Sequence, residues 1–176
     1  MLRPLRLERT PPMRSMTIAI AVTSAVFGFA NGAKAETAKL FFEGDIVRGA
    51  QQGAPGPACV LNNQFKHLEK VVWRFRILDV DGKVLDDKGI KGITVELPDG
   101  TKVPAVFGGH PPGNAPTDHF WAAAWIIPSG YPNGTFVYKA TATDLKGNTA
   151  TWEPFVRVTS QFQVMPGEIE IKKPAP

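Results

Sequence analysis

The chain holds a single cysteine among its 176 residues, Cys59. One thiol excludes an intramolecular disulfide and any zinc site built on several cysteines. Histidine is scarce too, with His67, His110 and His119 the only three. Helical periodicity is missing: no window longer than about ten residues repeats its apolar side chains at the 3.6-residue spacing of a helix. A surplus of one charge is absent in a less obvious way. Lys and Arg number 20 against 16 Asp and Glu, a formal net charge of +4. Five of those cations (Arg3, Arg6, Arg9, Arg14 and Lys34) and one acid, Glu8, fall within residues 1–35. The rest of the chain carries 15 of each sign and is formally neutral. Nucleic-acid binding needs clustered surplus positive charge, so nucleic acid is not an expected partner.

Residues 1–35 have the pattern of a cleavable signal peptide. The four arginines precede a charge-free apolar run, Met16–Ala30, and the segment ends in Ala33-Lys34-Ala35, a small-residue cleavage site. The run is shorter than the ~20 residues a spanning helix needs, so no membrane insertion is expected after cleavage. No Arg-Arg pair precedes it and no Cys follows the cleavage point. Twin-arginine export and a lipid anchor are therefore disfavoured. The expected location is the periplasm or outside the cell.

What remains reads as short strands separated by turns, with 17 Gly and 16 Pro in the whole chain. Leu40–Glu43 begins a first strand. Val71–Asp79 alternates Val71, Trp73, Phe75 and Ile77 against a largely polar second face. Ile93–Leu97 and Val103–Phe107 flank the turn Pro98-Asp99-Gly100. Phe120–Ile127 is nearly all apolar and suits a strand buried on both faces. Thr135–Thr143, Thr149–Val158 and a short Phe162–Met165 complete the set. About seven strands in roughly 100 residues predict an all-β antiparallel sandwich. The domain is expected over residues 36–165, with 166–176 as a flexible tail.

Tyr138-Lys-Ala-Thr-Ala-Thr-Asp-Leu-Lys-Gly-Asn148 resembles the penultimate strand and turn of bacterial immunoglobulin-like domains. Val71–Gly82, ending Leu-Asp-Val-Asp-Gly, is similar to the second strand and turn of the same group. The resemblance spans residues 65–160 and implies an immunoglobulin-like β-sandwich. It implies little about activity, because such domains serve adhesion, carbohydrate binding, chaperoning and spacing alike. Two segments depart from the compact pattern, Val47–Glu69 and Gly108–Asp118. Binding residues concentrate on loops held by a rigid scaffold, so these two are the expected seat of function.

The first segment carries Cys59 and His67, and the second presents His110 and His119 from a Gly- and Pro-rich stretch that predicts a stiff loop rather than a ladder. Such a Cys/His set suits copper or zinc. The order departs from that of cupredoxins, and strand counting puts the two segments at opposite ends of a sandwich, about 20 Å apart. Pooling all four residues in one site is therefore not expected. For Cys59 the favoured reading is a buried thiol packed beside Val60 and Leu61, against a metal-ligating thiolate, a reactive thiol or an intermolecular disulfide. Asp79, Asp81, Asp86 and Asp87 read as turn formers. Trp73, Trp121, Trp125 and Trp152 read as inter-sheet core, with a sugar-stacking platform as the weaker alternative. No catalytic arrangement is recognisable, so an enzyme is not expected. The function expected is non-catalytic binding without a cofactor, as an accessory to a protein partner in the periplasm or at the membrane. The alternative is a small periplasmic metal-handling or redox accessory protein using Cys59 and the histidines.

Overall fold

A computed structural model describes residues 39–157 and 160–173. The expected signal peptide, residues 1–35, lies outside the described residues. Eleven strands follow in chain order, and among the described residues there is no α-helix. They are β1 (Phe41–Arg48), β2 (Gln64–His67), β3 (Lys70–Leu78), β4 (Val84–Leu85), β5 (Ile90–Glu96) and β6 (Lys102–His110). After these come β7 (Asp118–Ile126), β8 (Gly134–Phe136), β9 (Lys139–Asp144), β10 (Thr149–Trp152) and β11 (Phe162–Glu168).

Eight strands form one antiparallel sheet in the order β1-β3-β7-β6-β5-β9-β10, with β4 pairing the far end of β3. A second sheet, β2-β11-β8, pairs β11 parallel to β2 and antiparallel to β8. The turns share a local cause. In the Asp79-x-x-Gly82 and Asp144-x-x-Gly147 turns the glycines take φ of 77° and 88°, a region closed to most side chains. The Asp79 carboxylate accepts from the N–H of Asp81 and of Lys83, and Asp144 accepts from Lys146 and Asn148. Asp86 holds the Lys88 N–H in the same way. Short acidic side chains are satisfying turn backbone here, the role expected for Asp79 and Asp86.

The core draws side chains from both sheets. Alternation on β3 buries Val71, Trp73, Phe75 and Ile77 on one face, each 1% exposed or less. Trp73 lies at the centre, with Tyr138 at 5.6 Å and Phe162 at 5.8 Å between ring centroids. Burial of each such side chain contributes about 1.5–3 kcal/mol, so this cluster supplies much of the drive to fold. Trp121 is buried, while Trp125 and Trp152 are half-buried and pack on the same cluster.

Several expectations change. β7 buries one face only: Trp121 and Ala123 are buried, but Ala124 and Ile126 on the other face are exposed. Composition alone cannot distinguish an apolar face that meets a core from one that meets solvent. The run 135–143 splits into β8 and β9, because the chain leaves the small sheet after Phe136 and joins the large one at Lys139. Side-chain alternation continues across that switch, so periodicity does not reveal it. β11 continues past 165 to Glu168, and Lys172 N still donates to the Gly53 carbonyl at 3.0 Å.

Candidate functional site

The solvent face of β1, β3 and β7 carries the densest grouping of charge among the described ion pairs. Its origin is strand parity: Glu43 stands opposite Arg76 and Asp45 opposite Arg74, so four charged side chains share one face. Arg74 Nε donates to Asp45 Oδ1 at 2.7 Å in a two-pronged pair. Arg76 pairs with Asp118 at the start of β7 and lies 3.9 Å from Glu43. The Arg74 guanidinium also sits 5.5 Å above the Phe120 ring, whose centroid lies 5.4 Å from that of His110. Glu43, Asp45, Arg74, Arg76, Asp118 and Phe120 border a cleft of about 310 Å³.

These contacts set the electrostatics. The Asp45 hydrogen bond raises the Arg74 pKa above the arginine norm; desolvation opposes, and the charges of Asp45, Cys59 and Asp118 add to the rise. The hydrogen bond from Arg76 pulls the Asp118 carboxyl below its usual range, helped by the His119 N–H. Burial pushes the Tyr138 phenol up, and that of Tyr131 as well. On the charged face the shifts of Arg74, Arg76 and Asp118 all favour the ionised forms, as their pairing requires.

Next to the charged cleft the same face turns apolar. Val106 on β6 pairs with Ala122, which stands opposite Arg74; Val72 pairs with Ala124, and Lys70 with Ile126. Val106 is 71% exposed and Ile126 47%. Contiguous exposed apolar side chains with a polar border mark contact surfaces. A second concavity of about 490 Å³ lies between β1 and the segment after β10, with Tyr138, Trp152 and Phe155 in its lining.

The four residues singled out in the sequence do not converge. Cys59 is exposed rather than buried, which corrects the favoured reading. Its neighbours Val60 and Leu61 are exposed too, at 39% and 73%, because residues 59–62 run along the edge of β1 and not beneath the sheet. His67 is buried, with Nε2 2.8 Å from the Tyr131 carbonyl and Nδ1 3.1 Å from that of Gly167. Both ring nitrogens are engaged with backbone, which leaves none for a metal. His110 and His119 are strand residues, not loop residues: Gly108, Gly109 and His110 pair with Phe120, His119 and Asp118. Glycine tolerates a ladder here because the turn chemistry is confined to 111–117. Since His119 stands opposite Gly109 and not His110, the two imidazoles fall on opposite faces of the hairpin. His119 stacks on Phe107 while His110 packs on Phe120. Among the described residues no three His, Cys, Asp or Glu side chains are grouped so as to hold a metal ion.

Sequence reasoning recognised the polar face of β3 but missed Val106 and the apolar half of β7 as surface. The signal was present in the apolar continuity of Phe120–Ile127, which carries apolar residues at both parities. The sequence matches no protein-family model, and no curated protein matches it.

Proposed function

We propose that the chain is an exported, non-catalytic binding domain of immunoglobulin-like topology, an accessory to a protein partner in the periplasm or at the membrane. The strand order supports the topology. Cutting the large sheet between β6 and β5 leaves β1-β3-β7-β6 and β5-β9-β10. These are the four- and three-stranded orders of an immunoglobulin constant-type sandwich, read in chain order, with the β5–β6 hairpin still paired at the join.

The observation that carries the binding reading is the exposed apolar surface of Val106, Ala124 and Ile126, with the half-buried Ala122 among them, beside the Arg74–Asp45 and Arg76–Asp118 pairs. A protein surface with an apolar centre and a mixed-charge rim fits it. Copper or zinc handling has less support, because the cysteine and the histidines stand apart. The test is in-cell crosslinking of the exported protein in its native host. A discrete adduct is expected with the wild type, retained in Lys91→Ala and lost in Val106→Lys. An adduct indifferent to Val106→Lys, or none at all, overturns the reading. The mass of the same purified protein checks export, which is expected to leave Glu36 as the first residue.

A further inference from the structure

Among the described residues, the sheet position beside β1 is only half filled. Residues 59–62 run antiparallel along it, with Leu61 bridging Val47, Arg48 N donating to the Val60 carbonyl at 3.0 Å and Asn62 N to that of Ile46 at 3.2 Å. The chain then turns away: Gln64 N donates to the Asn62 side chain at 3.3 Å, and the Asn62 amide returns a bond to the Gln64 carbonyl. Backbone groups alternate in direction along a strand, so the parity that turns Ile46 and Arg48 outward also turns Phe42 and Gly44 outward. The 490 Å³ groove begins beside Gly44.

The groove is lined by Gly44, Asp45 and Ile46 of β1 and by Trp152 at the end of β10, together with Tyr138. Asp144 N donates to the Asn148 carbonyl at 2.9 Å, which makes 144 and 148 a bonded pair and, by the same alternation, turns the backbone of Thr149 and Thr151 away from β9. Edge strands are ordinarily blunted by proline, inward charge or bulges. The stretch Phe41–Ile46 has no proline and no register shift, and its two charges, Glu43 and Asp45, stand on the outer face with Arg76 and Arg74. At Gly44 a side chain would meet the Phe75 ring at 2.8 Å, so glycine keeps the strand seated flat on the core.

The charge at the rim selects the occupant. A strand laid along β1 alternates its side chains between the aromatic floor and the outer face. The outer face there presents Glu43 and Asp45, whose side chains stay 61% and 37% exposed although Arg76 and Arg74 pair with them from β3. Cross-strand pairing then favours basic side chains at outward positions and apolar ones inward.

We infer that the seam between β1 and β10 binds an extended segment of a partner protein by strand addition, the segment carrying apolar residues at alternate positions and Lys or Arg between them. This rests on the binding-domain reading but uses a different surface. Its failure leaves the Val106 crosslink standing, and loss of that crosslink leaves the seam intact.

The probe is a blocked octapeptide of alternating Val and Lys, added to the isotope-labelled exported protein. It is expected to bind roughly tenfold tighter than the Val/Glu counterpart, from a few cross-strand charge pairs. Amide exchange at Phe42 and Gly44 is expected to slow on binding, while Val106 is unchanged. N-methylation of alternate peptide nitrogens is expected to abolish the effect on one parity only. Glu43→Lys, at an exposed position outside the core, is expected to weaken the Val/Lys peptide. No binding, binding insensitive to N-methylation, or protection elsewhere overturns the proposal. So does protection of Phe42 and Gly44 in the free protein with a concentration-dependent dimer, which would put a second copy in the seam.

Discussion

Cys59 donates its backbone N–H to the Arg48 carbonyl at 2.7 Å while holding a left-handed backbone, φ 60°. Val60 supplies the carbonyl that accepts from Arg48 N, so two residues oppose one and the edge of β1 carries a bulge. This left-handed position is one that glycine usually fills. A side chain there costs about 1 kcal/mol.

Cys59→Gly is therefore expected to leave stability unchanged or raise it by up to about 1 kcal/mol, the gain being trimmed by a more flexible unfolded chain. Cys59→Val is expected to lower it, since a β-branched side chain tolerates this region least. Denaturant midpoints of the two variants check the order. A Cys59→Gly protein less stable than Cys59→Val would mean that the thiol makes a contact that outweighs the backbone term.

The same residue shows where sequence reading stopped. The alternation of Val71, Trp73, Phe75 and Ile77 specified one buried face of β3, and the Asp-x-x-Gly turns specified the reversals, because both are local. Cys59 was placed among buried neighbours since Val60 and Leu61 are apolar, yet nothing local says that residues 59–62 lie on a sheet edge. The separation of His110 from His119 depends on a register, Gly109 opposite His119, that only the completed hairpin sets. The outer face of β7 escaped for a related reason: Ala122, Ala124 and Ile126 read as core in a string that carries apolar residues at both parities.

His67 joins three parts of the fold, since it ends β2 and its ring meets the carbonyls of Tyr131 and Gly167. Replacing it by Phe keeps the volume and leaves the Tyr131 carbonyl buried without its ring partner. An unsatisfied buried acceptor costs about 1–3 kcal/mol, so His67→Phe is expected to lower stability by about that much. Chemical denaturation checks the size, and exchange of the Ile169 amide, which donates to the His67 carbonyl at 3.2 Å, is expected to accelerate. A variant as stable as the wild type would show that the ring is not a structural tie.

Acid sensitivity of the charged face follows from Asp118. Its hydrogen bond from Arg76 lowers the carboxyl below the ordinary 3.8. A carboxylate lowered in the folded state contributes stability above its unfolded value and loses it as pH falls through the folded one. The pair is over a third exposed, so solvent screening limits the contribution to about 0.5 kcal/mol. Asp118→Asn is expected to be less stable than the wild type by that amount at pH 7. The gap is expected to close as pH drops from about 4 to 2. Urea unfolding at several pH values measures it, and a gap that widens in acid would assign the effect elsewhere.

Trp73 is fully buried at the centre of the core, and its Nε1–H has no hydrogen-bond partner among the described residues. Two opposed terms decide what Trp73→Phe does. Shrinking a buried indole to a phenyl ring loses apolar contact and leaves a cavity, at a cost of about 1–3 kcal/mol. Removing an unsatisfied buried donor returns about 1–3 kcal/mol of desolvation penalty. The two nearly cancel, so Trp73→Phe is expected to change stability by no more than about 1 kcal/mol. Trp121→Phe lacks that relief, because Trp121 Nε1 already donates to the Leu85 carbonyl at 3.4 Å, a long and weak bond whose loss still strands the acceptor. It is expected to cost about 2 kcal/mol. Paired denaturation curves decide the matter: if Trp73→Phe proves the more damaging of the two, the central N–H is not a liability of this core.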